Sequence, residues 1–300
     1  MLFRSVSKLF TNSASESFRK AIYANGGNFA TTSFSSPYSV GIGTKDAAAM
    51  LVASGIAGVV RAPLTARNTV AKDYGFSLCG DYIATTGTFQ GPSTSFSAAG
   101  RSASEFAAAS YTAFEGTYRA KFDTNADKYP WGNEAVLVPA KGVADAFGAA
   151  AAYAYAMKAP VFFAESDGSV SAATLRCLAD FTGVTVIGDT TAFSDESLAR
   201  LKASLSNAGP ANGVDVRRIA AEGGPRESAG ALSVATAKEL VSKKAIADPS
   251  YAALVDVREP ADALAALNMC GPNGGMLFCS SGSADSKQVI AYLKGHNASK

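Results

Sequence analysis

The 300-residue sequence predicts an α/β protein in which strands and helices alternate in three tandem copies. The first observation is a block that occurs three times, consisting of a short apolar run, a basic residue, an Asp and an Ala-rich stretch. These blocks begin at Pro37, Glu134 and Tyr251. The second observation is a further apolar run, which follows each Ala-rich stretch after about one helix length. Such alternation predicts parallel sheets with helices on both faces and right-handed crossovers.

Each block predicts a strand, a tight turn and a helix. An apolar run of about five residues is typical of a buried parallel strand, and it predicts strands at 37–44, 134–140 and 252–258. An Asp precedes or opens each Ala-rich run, and its carboxylate can accept the unpaired backbone N–H groups of a helix start. We therefore expect Asp46, Asp145 and Asp262 to cap the three following helices.

The remaining elements follow the same order in each copy. Second strands are predicted to begin at Arg61, Lys158 and Gly274. A third strand is predicted at Val184–Gly188, with a weaker counterpart at Asp81–Gly87. Further helices are predicted upstream of each first strand, beginning near Ser13, Ser102 and Arg226, and at about 169–181 and 284–295.

These elements divide the chain into units at 12–99, 100–221 and 222–300. The polar run Thr124–Pro130 and the pair Gly209-Pro210 are the clearest loops. The third unit has no counterpart of Val184–Gly188. Either this strand lies outside the sequence, because the chain is truncated, or another segment replaces it.

Composition excludes several classes of protein. With 48% hydrophobic and 17% charged residues, the chain is not disordered. Its longest apolar stretch, Ala47–Val60, is too short to span a bilayer. A net charge of +2 argues against a nucleic-acid-binding protein. Four cysteines without paired spacing and a single histidine predict no metal site, and we expect buried free thiols, with Cys270–Cys279 as the one plausible bridge.

Unless the sequence is a fragment of a longer chain, its amino-terminal segment allows two interpretations. Residues 1–10 are basic and lack the hydrophobic core of a secretory signal, a composition that also suits a mitochondrial transit peptide. The repeat interpretation instead makes residues 12–24 the first helix of the first unit. It predicts that Phe18 and Ile22 are buried, whereas a transit peptide would be detached and would place the protein in the mitochondrial matrix.

Four phrases carry a family resemblance: Val136–Phe147, Ala159–Phe163, Val184–Ser194 and Arg218–Ser228. Their order resembles the cell-wall-binding repeat 2 family of Gram-positive surface proteins, over about 12–298 and most clearly in the second unit. Two positions depart from the family pattern. Asp189 replaces the second Gly of the family's Gly-Gly pair, and the Tyr of its Asp-Arg-Tyr-Glu-Thr phrase is absent.

The resemblance implies three Rossmann-like modules packed around a pseudo-threefold axis. It also implies non-covalent anchoring of a surface protein to an anionic, teichoic-acid-like wall polymer, and therefore a location at the cell wall or the extracellular surface. In such a protein the three modules would bind one polymer with avidity. An effector domain fused outside this sequence would fit the same role.

Catalytic motifs are sparse, and we expect a binding protein without cofactor rather than an enzyme. Gly41-Ile-Gly43 resembles part of a dinucleotide loop, but Asp46 stands at the third glycine position and would repel a pyrophosphate. The sequence contains neither a Gly-x-Ser-x-Gly nor a His-Glu-x-x-His motif. His296 lies in a polar tail, where we expect it to be solvated. The alternative is a doubly wound enzyme acting on a sugar or a nucleotide.

The candidate ligand site is a repeated basic residue. Lys45, Lys141 and Arg258 each follow the first strand of a unit, at the sheet edge where open α/β sheets bind ligands. The following helix N-terminus adds positive potential that suits a phosphate or a carboxylate. Four more cations are candidates to extend this patch: Arg61, Arg67, Arg101 and Arg226. The alternative is that each of these candidate cations is a solvated loop residue. The pair Arg217-Arg218 is expected to form a polar face beside a strand.

Overall fold

A computed structural model shows an α/β protein whose described strands form two four-stranded and two two-stranded sheets, with helices between them. It describes residues 39–42, 47–60, 64–66, 75–79, 82–83, 88–89, 94–97, 101–122, 131–208, 213–221, 228–247, 251–271 and 274–296. Phe18, Ile22 and the predicted first helix lie outside these ranges, so the two interpretations of the amino-terminal segment remain predictions. Among the described helices, none combines the length and the apolarity that a membrane crossing requires.

The first part of the chain forms a mixed sheet. Its elements are β1 (Ser39–Ile42), α1 (Ala47–Val60), β2 (Leu64–Ala66), β3 (Gly75–Cys79), β4 (Tyr82–Ile83), β5 (Thr88–Phe89) and β6 (Thr94–Ser97). The strand order is β2-β1-β3-β6, with β4 and β5 forming a separate antiparallel pair. β2 is parallel to β1, whereas β3 is antiparallel to both β1 and β6.

The prediction of a fully parallel sheet is therefore wrong for this part. Only residues 67–74 connect β2 to β3, and a parallel connection needs a crossover of a dozen residues or more. This short connection leads from β2 to the other side of β1, where β3 runs in the opposite direction and pairs antiparallel with β1. Of the strand predicted at Asp81–Gly87, the structure describes Tyr82–Ile83, which form β4 and pair with β5, whereas β3 lies beside β1.

The second part forms a fully parallel sheet with the order β10-β9-β7-β8. Its elements are α2 (Ala103–Phe122), β7 (Glu134–Pro139), α3 (Val143–Met157), β8 (Val161–Ala164), α4 (Ala172–Leu178), β9 (Gly183–Ile187), α5 (Asp195–Leu205) and β10 (Asp215–Ile219). The three strands predicted here are confirmed. The sequence reasoning missed α5 and β10, and Arg217 and Arg218 lie within β10 rather than beside a strand.

The third part supplies a two-stranded parallel sheet. Its elements are α6 (Ala229–Ser242), β11 (Ala252–Asp256), α7 (Pro260–Cys270), β12 (Met276–Ser280) and α8 (Ser283–Gly295). In all three parts the predicted first strand is present and is followed by its Ala-rich helix. The unit boundaries, the Rossmann-like character of all three units and the pseudo-threefold arrangement remain predictions.

Serines, and not the predicted aspartates, cap the helices. Asp145 and Asp262 lie in the first turns of α3 and α7, but the N-cap residues are Gly142 and Glu259, and neither caps with its side chain. A first-turn carboxylate still favours the positive end of the helix dipole. Asp46 lies outside the described residues. Side-chain caps are instead made at α4, α5 and α6, by Ser171, Ser194 and Ser228.

Helix α3 is the centre of the packing. All ten residues from Ala146 to Tyr155 are buried, and six of them are alanines. The helix contacts α1, α6, α7 and β12, and the three Ala-rich helices α1, α3 and α7 also contact one another. An ideal Cβ at Gly148 would lie 2.5 Å from Sγ of Cys279, and one at Gly58 would lie 2.5 Å from the carbonyl oxygen of Tyr155. Neighbouring elements therefore approach α3 more closely than larger side chains would allow.

Three cysteines are free thiols, as predicted: Cys177, Cys270 and Cys279. Cys270 and Cys279 are buried and do not form the bridge that was considered for them. Burial raises the pKa of each of these two thiols to about 12, so both remain protonated at neutral pH. They serve as small apolar side chains in the core.

Replacing Gly148 with Ala is expected to destabilise the protein by about 1–3 kcal/mol, because the added methyl group overpacks the contact with Cys279. Alanine has the higher helix propensity, by about 1 kcal/mol, so steric crowding must outweigh that gain. Urea unfolding measures the change. Gly295→Ala is the matched control, since a Cβ there meets nothing within 4 Å. A Gly148→Ala variant as stable as the wild type would contradict the close packing.

Candidate functional site

The described cavity that best fits a ligand site lies at the carboxyl ends of β7 and β9. After β7 the chain crosses to β8 on one side of the sheet, and then crosses back to β9 on the other side. The loops that follow β7 and β9 therefore diverge, which is where open α/β sheets bind ligands. A cavity of about 90 Å³ opens there. We call it the switch-point cleft; its lining residues are Lys141, Gly142, Asp145, Ala146, Gly188, Asp189, Thr191, Ala192 and Leu232.

The loop after β9 is held by its own backbone and by Asp189. Gly188 has φ +150°, which favours glycine, and a Cβ there would lie 3.2 Å from the ring of Pro139 at the end of β7. Asp189 Oδ1 accepts hydrogen bonds from the Thr191 and Ala192 amides, at 2.9 and 2.7 Å, and from the Thr191 hydroxyl at 2.7 Å. The departure from the family's Gly-Gly pair is therefore accommodated, because this Asp organises the turn that leads into α5.

Lys141 stands at the mouth of the cleft. It lies in a single 3₁₀ turn, Ala140–Gly142, between β7 and α3, and its side chain is exposed. Its Nζ donates a hydrogen bond of 3.4 Å to the carbonyl oxygen of Thr191, across the cleft. An ammonium group has three donors, so this long contact leaves capacity for a ligand.

Two carboxylates share the cleft with Lys141. Asp145 and Asp189 both line it, and Asp285 lies near enough to influence Asp145 electrostatically. Partial burial of the Asp145 carboxyl, together with the negative charges of Asp189 and Asp285, raises its pKa above the ordinary value. The structure thus surrounds the predicted cation with acids, a feature that sequence reasoning did not find.

The structure describes two more of the seven predicted cations, and neither lines the cleft. Arg258 is exposed and folds back onto Asp256, with Nε 2.9 Å from Oδ1. Its hydrogen bonds lower the pKa of Asp256 to about 2. Arg101 is exposed just before α2. The other four, Lys45, Arg61, Arg67 and Arg226, lie outside the described residues.

A second polar cluster lies at the amino end of β7. We call it the Glu134 network; its members are Glu134, Tyr153, Thr185, Arg217, Glu239 and Lys243. Arg217 donates to Glu134 Oε2 at 3.0 Å and to Thr185 Oγ1 at 3.1 Å, and it forms an ion pair with Glu239. The Tyr153 hydroxyl donates to Glu134, which also pairs with Lys243.

The protonation states of the Glu134 network favour a structural role. Burial opposes ionisation of Glu134, but bonds from Lys243 and Tyr153 and the charge of Arg217 outweigh it, so its pKa lies below the ordinary value. Burial and the bond to Glu134 raise the pKa of Tyr153, which keeps the phenol protonated. Two cations balance two carboxylates, and the network joins the sheet and α3 to α6. Sequence reasoning missed it, because its members are far apart in the chain.

Asp285 joins two helix starts. It lies in the first turn of α8, is 7% exposed, and accepts hydrogen bonds from the Gly230 amide at 2.9 Å and the Ser281 amide at 2.7 Å. Burial opposes its ionisation, but bonds from Ser228, Ser281 and Gly230 outweigh this and lower its pKa. The carboxylate therefore caps the amino terminus of α6.

His296 differs from the prediction that it is solvated. Its ring is half-buried against Tyr292, with ring centroids 4.3 Å apart, because it follows one turn after Tyr292 at the end of α8. Its Nδ1 lies 2.9 Å from the Tyr292 carbonyl oxygen. In the part of the chain that the structure describes, no group of three or more His, Cys, Asp or Glu residues is placed to hold a metal ion.

Comparison with known proteins shows low similarity. No protein-family model and no curated protein matches the chain. Among solved structures, Cwp6 from Clostridium difficile is 17% identical with a TM-score of 0.45, over 69% of this chain and 29% of that chain. Cwp8 from Clostridium difficile is 14% identical with a TM-score of 0.47, over 83% of this chain and 42% of that chain.

The chain therefore spans less than half the length of either solved protein that it resembles. Both are proteins of Clostridium difficile.

Arg217→Leu is expected to destabilise the protein by about 1–3 kcal/mol, because it removes the cation that pairs with the partly buried Glu239 and one of the two cations, Arg217 and Lys243, that pair with Glu134. Urea unfolding measures this change. The matched control is Arg200→Leu, which removes an exposed pair with Glu196 and should cost no more than about 0.5 kcal/mol. Equal losses from the two variants would show that the Glu134 network does not hold α6.

Asp285→Ala is expected to cost about 1–3 kcal/mol at neutral pH, since it removes the acceptor of the buried Gly230 amide and of the more exposed Ser281 amide. The pKa of Asp285 is lowered in the folded protein, so ionised Asp285 stabilises the fold above its unfolded pKa, and this contribution is lost as pH falls through the folded pKa.

The difference in unfolding free energy between wild type and Asp285→Ala should therefore shrink between about pH 5 and pH 2, as measured by urea unfolding. Asp215→Ala is the control, because Asp215 is exposed at the start of β10. A difference for Asp285→Ala that stays constant over this range would contradict the assignment.

Proposed function

We propose that this chain is a binding module that attaches non-covalently to the cell wall through an anionic wall glycopolymer. One observation carries the proposal: two phrases of the family resemblance form the switch-point cleft. Val136–Phe147 covers most of β7, the turn with Lys141 and the start of α3. Val184–Ser194 covers most of β9, the turn with Asp189 and the N-cap of α5.

The chemistry of binding starts from Lys141. Its exposed ammonium and the amino end of α3 provide positive potential at the mouth of the cleft, where a phosphate of the polymer would bind. Lys45 and Arg258 hold the corresponding positions in the other two blocks. Each exposed cation contributes little by itself because solvent screens it. Several weak contacts with one polymer would gain avidity.

The activity that we propose is binding rather than catalysis. The partner would be neither a nucleic acid nor a membrane, and the protein would be located at the cell wall. The other polar cluster supports this choice, because Tyr153 stays protonated and the charges of the Glu134 network pair internally. An enzyme acting on a sugar or a nucleotide would need a general base or a nucleophile in a cleft. A fused effector domain outside this sequence would fit an anchoring role.

A pull-down with isolated Gram-positive walls tests the proposal. The wild-type chain is expected to sediment with intact walls, and to remain in solution after the anionic polymers have been removed. Bound protein should also decrease as salt rises, since the Debye length falls to about 3 Å at 1 M salt. Equal sedimentation with intact and stripped walls would contradict the anionic polymer as ligand.

Lys141→Ala is expected to weaken wall binding by about fivefold, the size of one screened ionic contact. Combining it with Lys45→Ala and Arg258→Ala should weaken binding far more than any single change, because avidity multiplies the losses at each site. Lys202→Ala and Lys238→Ala are charge-matched controls outside the cleft. A folded triple variant with wild-type wall affinity would refute the basic residues as the site.

A further inference from the structure

We propose that the switch-point cleft binds an ammonium group inside and a phosphate at its mouth, so that its ligand is a zwitterionic unit rather than a bare anion. This inference rests on the proposed function, since it names the ligand chemistry at the same site. The polymer would then carry ammonium substituents next to its phosphates.

The charges that line the cleft are mixed. Among the described residues that line it, Lys141 is the only cation, whereas Asp145 and Asp189 contribute two carboxylates. A phosphate that entered the cleft would approach both carboxylates, and like charges at such short range repel. An ammonium group would be attracted by the same pair. The lining therefore offers two carboxylates to a positive charge and one ammonium to a negative charge, which together suit a ligand that carries both.

The surroundings of Asp145 strengthen this attraction. Asp285, which caps α6, adds a further negative charge near it. Asp145 makes no hydrogen bond in the described part of the chain that would offset this repulsion. The attraction of a cation bound beside Asp145 would offset the repulsion from the neighbouring carboxylates and the cost of ionising a partly desolvated group, which together raise the pKa of Asp145.

The size of the cleft indicates which part of a ligand enters. Its volume of about 90 Å³ is far below the roughly 300–1,000 Å³ of sites that enclose a whole small molecule. Ala146, Ala192 and Leu232 supply an apolar lining for a short alkyl stem. A pendant aminoalkyl group therefore fits, while the polymer backbone stays outside near Lys141. The ammonium could come from an aminoacyl ester or from an amino sugar.

Titration of the isotope-labelled chain with three small probes, followed by NMR, tests the charge pattern. The probes are phosphoethanolamine, which carries both charges, glycerol 3-phosphate, which carries only the anion, and ethanolamine, which carries only the cation. Phosphoethanolamine is expected to bind at least about fivefold more tightly than either of the others, the size of one additional screened ion pair. Its largest shifts should fall on the amides of Gly142 and Gly188, which line the cleft.

Variants assign the two charges to residues. Asp145→Asn should weaken phosphoethanolamine binding about fivefold and leave glycerol 3-phosphate unchanged or slightly tighter. Asp189→Asn should act in the same direction, and it keeps the Oδ1 acceptor that the turn requires. Lys141→Gln should weaken both phosphate probes. The controls are Asp262→Asn, at the matching position of α7, and Lys202→Gln, both outside the cleft.

Glycerol 3-phosphate binding as tightly as phosphoethanolamine would overturn the zwitterion inference. So would an unchanged phosphoethanolamine affinity in Asp145→Asn, a variant that removes no described hydrogen bond and is expected to fold. Failure of phosphoethanolamine to produce saturable shifts counts against the inference as well.

Treated walls separate this inference from the proposed function and identify the source of the ammonium. Acetylation of wall amino groups should abolish most binding, whereas mild alkali, which removes aminoacyl esters, should do so only if esters supply the ammonium. Undiminished binding to acetylated walls would overturn the zwitterion and leave wall binding intact. Failure to bind untreated walls would overturn the proposed function, whatever the small probes show.

Discussion

The burial of ten consecutive residues of helix α3, Ala146 to Tyr155, is the constraint on which the rest of the structure depends. An α-helix that is apolar all round must be covered on every side, and here the other parts of the chain provide the cover. α1 comes from the first part, and α6, α7 and β12 come from the third. The alanines of α3 make close approach possible, and Gly148 and Gly58 lie where neighbouring atoms leave no room for a side chain. Burying this one helix therefore brings three sequence-distant parts into a single core.

The same helix sets the position of both polar sites. Its first turn carries Asp145, and Lys141 lies in the 3₁₀ turn just before it, so the amino end of α3 forms one wall of the switch-point cleft. Near its other end, Tyr153 reaches the Glu134 network. Because α3 cannot move without opening the core, the charged groups of the cleft are held on a rigid support. Such preorganisation lowers the entropic cost of binding a flexible polymer.

Strong local patterns led to correct predictions, and weak ones did not. The apolar strands β7, β8, β9 and β12 and the Ala-rich helices were predictable because burial on both faces leaves a continuous apolar run. The sequence of β10 is Asp-Val-Arg-Arg-Ile, and its polar residues hide the pattern of a strand. In the structure the two arginines form ion pairs with Glu134, Glu239 and Asp195. The antiparallel β3 was missed because the direction of a strand depends on the length of the segment that connects it to the previous strand. The pattern of apolar residues gives no information about strand direction.

The sequence by itself determined the order of strands and helices in the three blocks, the cation that follows each first strand, and the free thiols of the core. All of these depend on local composition and spacing. Only the tertiary structure decided that Asp145 and Asp189 share a cleft with Lys141, that Asp285 caps α6, and that Arg217 reaches Glu134 across 83 positions of the chain. The physical reason is that the interaction of two charged groups depends on their distance in space and not on their separation along the sequence. The packing of α3 and the strand order of the parallel sheet determine which loop ends become neighbours.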